Sequence, residues 1–97
     1  MATKNKPLKT EKRLIEFYGD GCVHCVEMAP LVAQLEKELS VKLEKYEVWN
    51  NAANAKMLEG FDKGRCGGVP FFINTASGGF ICGSTDYESF KKWAMEG

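Results

Sequence analysis

The residues best suited to chemistry are Cys22 and Cys25, two thiols three positions apart in the run Gly21-Cys22-Val23-His24-Cys25. On a helix this spacing puts both sulfurs on one face, where they can close a disulfide with each other or hold two corners of a metal site. The two chemistries make different demands. A zinc site needs two further ligands, yet Cys66 and Cys82 are not a second close pair and His24 lies inside the first. A redox pair needs one thiol that ionises readily. Cysteines at helix N-termini or in Cys-X-X-Cys pairs ionise at about 3.5–7.5 against about 8.5 for a free thiol. The element that begins at Cys22 therefore decides between the two.

Leu14, Ile15, Phe17 and Tyr18 form a nearly continuous apolar run that stops at Gly19, the pattern of a strand buried on both faces. After Cys22 the period changes. Met28, Leu31, Val32, Leu35 and Leu39 recur at helical spacing, with Glu27, Gln34, Glu36, Lys37 and Glu38 between them, so an amphipathic helix runs to about Ser40. Cys22 then sits where unpaired backbone N–H groups favour a thiolate, and Cys25 one turn inside, where burial disfavours charge. This assigns Cys22 as the nucleophile that attacks a substrate disulfide and Cys25 as the thiol that resolves the mixed disulfide.

Further along, Val41 to Trp49 predicts a second strand, and Asn50-Asn51 caps a short helix carrying Ala53, Met57, Leu58 and Phe61. Phe71 to Ile73 predicts a third strand, Thr75 to Gly79 a turn, and Phe80 to Cys82 a fourth strand closing a hairpin. Thr85 and Glu88 read as a capping box for a last helix that turns Tyr87, Phe90, Trp93 and Ala94 inward. The order β-α-β-α-β-β-α implies an α/β domain with a mixed sheet covered by helices.

The whole chain has 97 residues, enough for one domain and one core. Residues 1–11 are polar and Lys-rich and read as a flexible N-terminal arm, which leaves residues 12–97 as the domain. Thirteen basic residues balance thirteen acidic ones, so no positive field favours nucleic acid or an anionic membrane surface. No apolar run approaches the roughly 20 residues of a membrane helix, and Met1 to Arg13 lacks the apolar stretch of a secretory signal. The expectation is a cytoplasmic protein, with an organelle as the alternative.

From Leu14 onward the residues resemble the thioredoxin superfamily. The match comprises the strand Leu14 to Tyr18, the pair Cys22 and Cys25, Pro30 five residues later, Val69-Pro70 before a strand, and Gly83 after the hairpin. Thioredoxin is itself one of the cases behind the thiol range of about 3.5–7.5. The resemblance implies a thioredoxin-like fold with a four-stranded mixed sheet and three flanking helices. It also implies a thiol–disulfide oxidoreductase acting on protein or small-molecule disulfides, needing no cofactor and no metal, recycled by a reductase or glutathione, and working as a monomer. Pro30, which would ordinarily count against a helix, falls where the family kinks one. Pro70 matches the family's cis proline, whose preceding residue, here Val69, offers backbone hydrogen bonds to an extended substrate; Gly83 belongs to the same binding region.

Glu16 interrupts the first strand, and a carboxylate buried there is costly as an anion, so its pKa rises and it suits proton exchange. It stands six residues before Cys22, where thioredoxins carry an aspartate that helps deprotonate the inner cysteine. The same role for Glu16 follows from the resemblance, and a sheet edge exposing it to solvent is the alternative. Lys45 matches the strand lysine that pairs with that acid, or is a solvated lysine.

The match is incomplete. His24 beside the second cysteine resembles the Cys-X-His-Cys of protein disulfide isomerases and periplasmic oxidants, where an imidazolium favours the thiolate and makes the disulfide more oxidising. The short start resembles glutaredoxins, and Gly83-Ser84-Thr85-Asp86 resembles their glutathione-contacting segment, which leaves a glutathione-dependent enzyme open. Cys66 is either a third redox-active thiol near Pro70 or an ordinary loop cysteine, and Cys82, alternating with Phe80, reads as a small core residue. A metal or iron–sulfur module built on Cys22 and Cys25, and a non-catalytic interaction domain, remain as readings from other classes.

Overall fold

A computed structural model describes residues 12–97; the arm expected over residues 1–11 lies outside the described residues. The elements are β1 (Leu14–Tyr18), α1 (Val23–Leu39), β2 (Glu44–Glu47), α2 (Ala52–Asp62), β3 (Phe71–Asn74), β4 (Phe80–Cys82) and α3 (Tyr87–Met95). This is the expected order, and the sheet is four-stranded and mixed, ordered β2-β1-β3-β4. β1 pairs in parallel with β2, as the helical crossover through α1 requires, while β3 runs antiparallel to both β1 and β4. No helix among the described residues is long and apolar enough to cross a membrane.

β1 is apolar on both faces because it is an interior strand with a core on each side. Leu14 points to the layer holding Met28, Val32 and Leu35 of α1 and Phe90, Trp93 and Ala94 of α3. Ile15 and Phe17 point to the other layer, with Phe71, Ile73 and Val48, closed by Met57, Leu58 and Phe61 of α2. Since side chains alternate along a strand, Glu16 shares its face with Leu14 and is aimed at α1. It is 6% exposed, which disposes of the sheet-edge alternative.

Three local expectations change. β2 is shorter than Val41–Trp49, because the N–H of Val41 bonds the Glu36 carbonyl at the end of α1 and that of Leu43 bonds the Glu36 carboxylate, so these residues close the helix before they enter the sheet. The cap of α3 is Asp86, whose carboxylate accepts from the N–H of Ser89 at 2.7 Å, and not the expected Thr85–Glu88 box one residue earlier. Cys82 is exposed at the end of β4 and bonded to Cys66 in a disulfide, so neither is the free core or loop thiol expected. The hairpin turn is tied down by buried Asn74. Its side-chain oxygen accepts from the N–H groups of Ala76 and Ser77, and its amide donates to the carbonyls of Trp93 and Glu96.

Candidate active site

Cys22 caps α1. Its backbone is extended, and its sulfur lies 3.2 Å from the N–H of Cys25, one of the four donors that a helix start leaves unpaired. Cys22 and Cys25 form a disulfide with Cα atoms 5.2 Å apart, and both are buried. The turn that delivers Cys22 depends on Gly21, at φ +86°, a conformation open to glycine and strained for other residues, and on the N–H of Cys22 bonding the carbonyl of Gly19. The indole of Trp49 lies directly over Gly19, where a methyl group would collide with the ring.

Across from the pair stands the start of β3. The Val69-Pro70 peptide bond is cis, and the Val69 carbonyl oxygen is 3.8 Å from Cys22 Sγ. Gly83, at φ +87°, donates its N–H to the Pro70 carbonyl at 2.8 Å, which holds the exit from β4 beside the cis bond. Cys22, Val69, Pro70 and Gly83 are thus gathered from three separate elements.

Behind Cys25 a cavity of about 330 Å³ opens between β1, β2 and α1, with Glu16, Cys25, Glu36 and Lys45 on its walls. Burial pushes the Glu16 carboxyl up to about 7, with Lys45 pulling it down and Glu36 pushing it up. The resemblance implied a pairing of Lys45 with Glu16, but the two are not bonded to each other. The Lys45 ammonium group donates to Glu36 Oε2 at 2.8 Å, and the same oxygen accepts the N–H of Leu43. Burial raises the Glu36 pKa, but these bonds outweigh it and the carboxyl is held below its ordinary value.

Glu36 is the member of this cluster that the sequence reading passed over as a solvent-facing helix position. The signal was present: Ala29, Ala33 and Glu36 follow Cys25 at intervals of four, four and three, along one stripe of α1. The two alanines leave the room that the cavity occupies. His24, by contrast, turns outward, and its Nδ1 bonds Glu27 at 2.9 Å. Pro30 lies inside α1 and is exposed. Cys66 lies in the loop before Val69 and is bonded to Cys82. No group of three or more His, Cys, Asp or Glu side chains that could hold a metal ion occurs among the described residues.

The family model for thioredoxin matches residues 3–62. Among solved structures, a mutant thioredoxin from Halobacterium salinarum superposes with a TM-score of 0.64 at 27% sequence identity, covering 84% of this chain and 69% of that one. A thioredoxin-like protein from Clostridium perfringens superposes with a TM-score of 0.67 at 18% identity, covering 88% of this chain and 69% of that one, a likeness of fold. None of the curated proteins matches the chain.

Proposed function

This chain belongs to the thioredoxin family, and from that premise we propose that it is a thiol–disulfide oxidoreductase exchanging electrons between Cys22–Cys25 and disulfides of proteins or small molecules. The observation that carries the reading is the setting of Cys22: its sulfur receives a helix-start N–H on one side and faces the Val69 carbonyl beside cis Pro70 on the other.

In the reducing direction the Cys22 thiolate, favoured by the helix start, attacks one sulfur of the substrate disulfide. The substrate S–S bond breaks, its far sulfur leaves as a thiolate and takes a proton, and Cys22 becomes joined to the substrate. Cys25 then gives its proton to the Glu16 carboxylate across the cavity and attacks Cys22 Sγ. The mixed disulfide breaks, the substrate leaves as its second thiolate, and the Cys22–Cys25 disulfide remains. A pKa of about 7 suits Glu16 to this exchange, since near neutrality it can both accept a proton and return it. Lys45, held by Glu36, keeps a positive charge beside Glu16 without neutralising it in a direct bond. Val69 and Gly83 hold the substrate in extended form against Cys22, and a reductase dithiol or glutathione restores the reduced pair.

The test is insulin reduction coupled to dithiothreitol, followed by titration of Cys22–Cys25 against glutathione. Catalysed turnover that disappears with Cys22→Ser is the expected result. A protein that reduces insulin no faster than dithiothreitol alone is instead the non-catalytic interaction domain. Glu16→Gln tests the proton path: slower exchange that loses its dependence on a group titrating near 7 is expected, and wild-type rates at every pH would remove Glu16 from the mechanism.

A further inference from the structure

Cys66 and Cys82 are joined across sixteen positions of sequence with their Cα atoms 5.5 Å apart. Cys82 ends β4 opposite Phe71 and immediately precedes Gly83, while Cys66 precedes Val69 by three residues. The bond therefore ties the segment that faces Cys22 through Val69 to the strand end whose Gly83 N–H holds the Pro70 carbonyl. We propose that Cys66–Cys82 is a second thiol–disulfide exchange site, reduced and reoxidised by a low-molecular-weight monothiol of the glutathione class, and that its state sets how firmly the Val69 and Gly83 backbones are held.

The surroundings of the pair support exchange. Cys82 is exposed, so an incoming thiolate can reach its sulfur. Cys66 is half-buried, and the guanidinium of the adjacent Arg65 lies 4.2 Å from the centre of the Phe80 ring on β4, which puts a positive charge at the junction of loop and strand that the bond spans. The monothiolate attacks Cys82 Sγ, the S–S bond breaks, and its electron pair goes to Cys66 Sγ, which then takes a proton. A second monothiolate attacks the mixed disulfide, forming the small-molecule disulfide and releasing Cys82. Two small thiols are oxidised and one protein disulfide is reduced; the small-molecule disulfide drives the reverse.

The loop can survive the cut and still loosen. Its start is held by Asp62, whose carboxylate accepts the N–H groups of Cys66 at 2.6 Å and Gly67 at 2.8 Å, so the chain near Cys66 keeps its path. What is lost is the covalent tether to β4, leaving the exposed stacking of Arg65 on Phe80 to join loop and strand. β4 has three residues and pairs on one side, so its end, and the Gly83 N–H bond to Pro70, are the first to open.

The experiment uses Cys22→Ser/Cys25→Ser protein, in which only the second pair can change, so its outcome does not depend on the proposed activity of the first. In glutathione buffers of graded composition, Cys66 and Cys82 are expected to become alkylatable together while the circular dichroism of the fold is unchanged, and hydrogen exchange at the Gly83 amide to quicken about fivefold or more. Thiols that stay protected until the protein unfolds, or a Gly83 amide indifferent to their reduction, would overturn the proposal. If the variant does not fold, residue-by-residue alkylation of the unsubstituted chain in the same buffers decides the matter by the same two readouts.

Discussion

Cys22 and Cys25 are buried at the head of α1, three residues apart, with a backbone N–H aimed at the outer sulfur. Cys66 and Cys82 bridge sixteen residues between a loop and the exposed end of β4. The difference is one of what each bond restrains. Closing the short loop removes little freedom from the unfolded chain, about 2 kcal/mol by chain-entropy reasoning, whereas the longer one removes about 3 kcal/mol. Opening Cys22–Cys25 thus costs the fold about 1 kcal/mol less than opening Cys66–Cys82, which suits a bond proposed to be made and broken in every cycle. Opening Cys66–Cys82 changes the molecule's shape near the groove more than its capacity for electrons. On the proposals above, one pair carries the turnover, and the other, opened and closed by a small thiol, sets how firmly the groove is held in register.

The sharpest way to break this division is to remove each pair in turn. Cys22→Ser is expected to cut dithiothreitol-coupled insulin reduction by about 10³-fold or more, the scale of losing a covalent nucleophile. Cys25→Ser is expected to retain attack and accumulate the mixed disulfide, visible by mass spectrometry. Turnover abolished equally by Cys66→Ser/Cys82→Ser would end the contrast. That double substitution is expected instead to lower the unfolding free energy of the oxidised protein by about 3 kcal/mol in urea titration.

The carboxyl proposed to exchange protons, Glu16, shares a cavity with Cys25, and its stability signature has the opposite sense to that of the ion pair between Arg13 and Glu44. Glu16 rises from 4.5 to about 7 on folding. Below pH 4.5 it is protonated whether folded or unfolded; between 4.5 and 7 the unfolded chain releases the proton first, so folding weakens as pH rises. Glu16→Gln is therefore expected to match wild type near pH 4 and exceed it above pH 7 by up to about 3 kcal/mol, read from urea midpoints across pH. Glu44, which the Arg13 guanidinium holds down to about 2, contributes stability that is present above 4.5 and is lost as pH falls through 2. The smallest effect is expected at His24, whose ring bonds the exposed Glu27 carboxylate. His24→Ala is expected to shift the glutathione equilibrium of Cys22–Cys25 by no more than about fivefold, toward a less oxidising disulfide.

How far these features could be read from the sequence depends on whether the signal is local. β1 was legible to the residue because Leu14–Tyr18 is apolar in both phases, and that run is itself the mark of an interior strand. Phe90, Trp93 and Ala94 declared the buried side of α3 by their spacing, yet its cap was misread, since Thr85/Glu88 and Asp86/Ser89 are equivalent pairs one residue apart. The bond between Lys45 and Glu36 was not legible, because it is a choice between two carboxylates made by the packing of α1 on β1 and β2. Cys66–Cys82 was beyond sequence reasoning for a similar cause. The loop reaches β4 only by turning through positive φ at Lys63, Gly64 and Gly67 and by wrapping two N–H groups around Asp62. No pattern of apolar residues encodes that path.

The stacking of Trp49 over Gly19 gives the molecule two optical gauges that can be read separately. Trp93 is enclosed among Phe72, Phe90 and α1, and its emission belongs to the dry interior; it changes when the core melts. Trp49 is 58% exposed, rests on the glycine whose carbonyl takes the Cys22 N–H, and emits at longer wavelength from water. Its quenching is expected to respond to the opening of Cys22–Cys25, because both the ring and the Cys22 N–H rest on Gly19. A single emission spectrum, resolved into its blue and red components, will therefore track folding and electron transfer at the same time, with no dye attached.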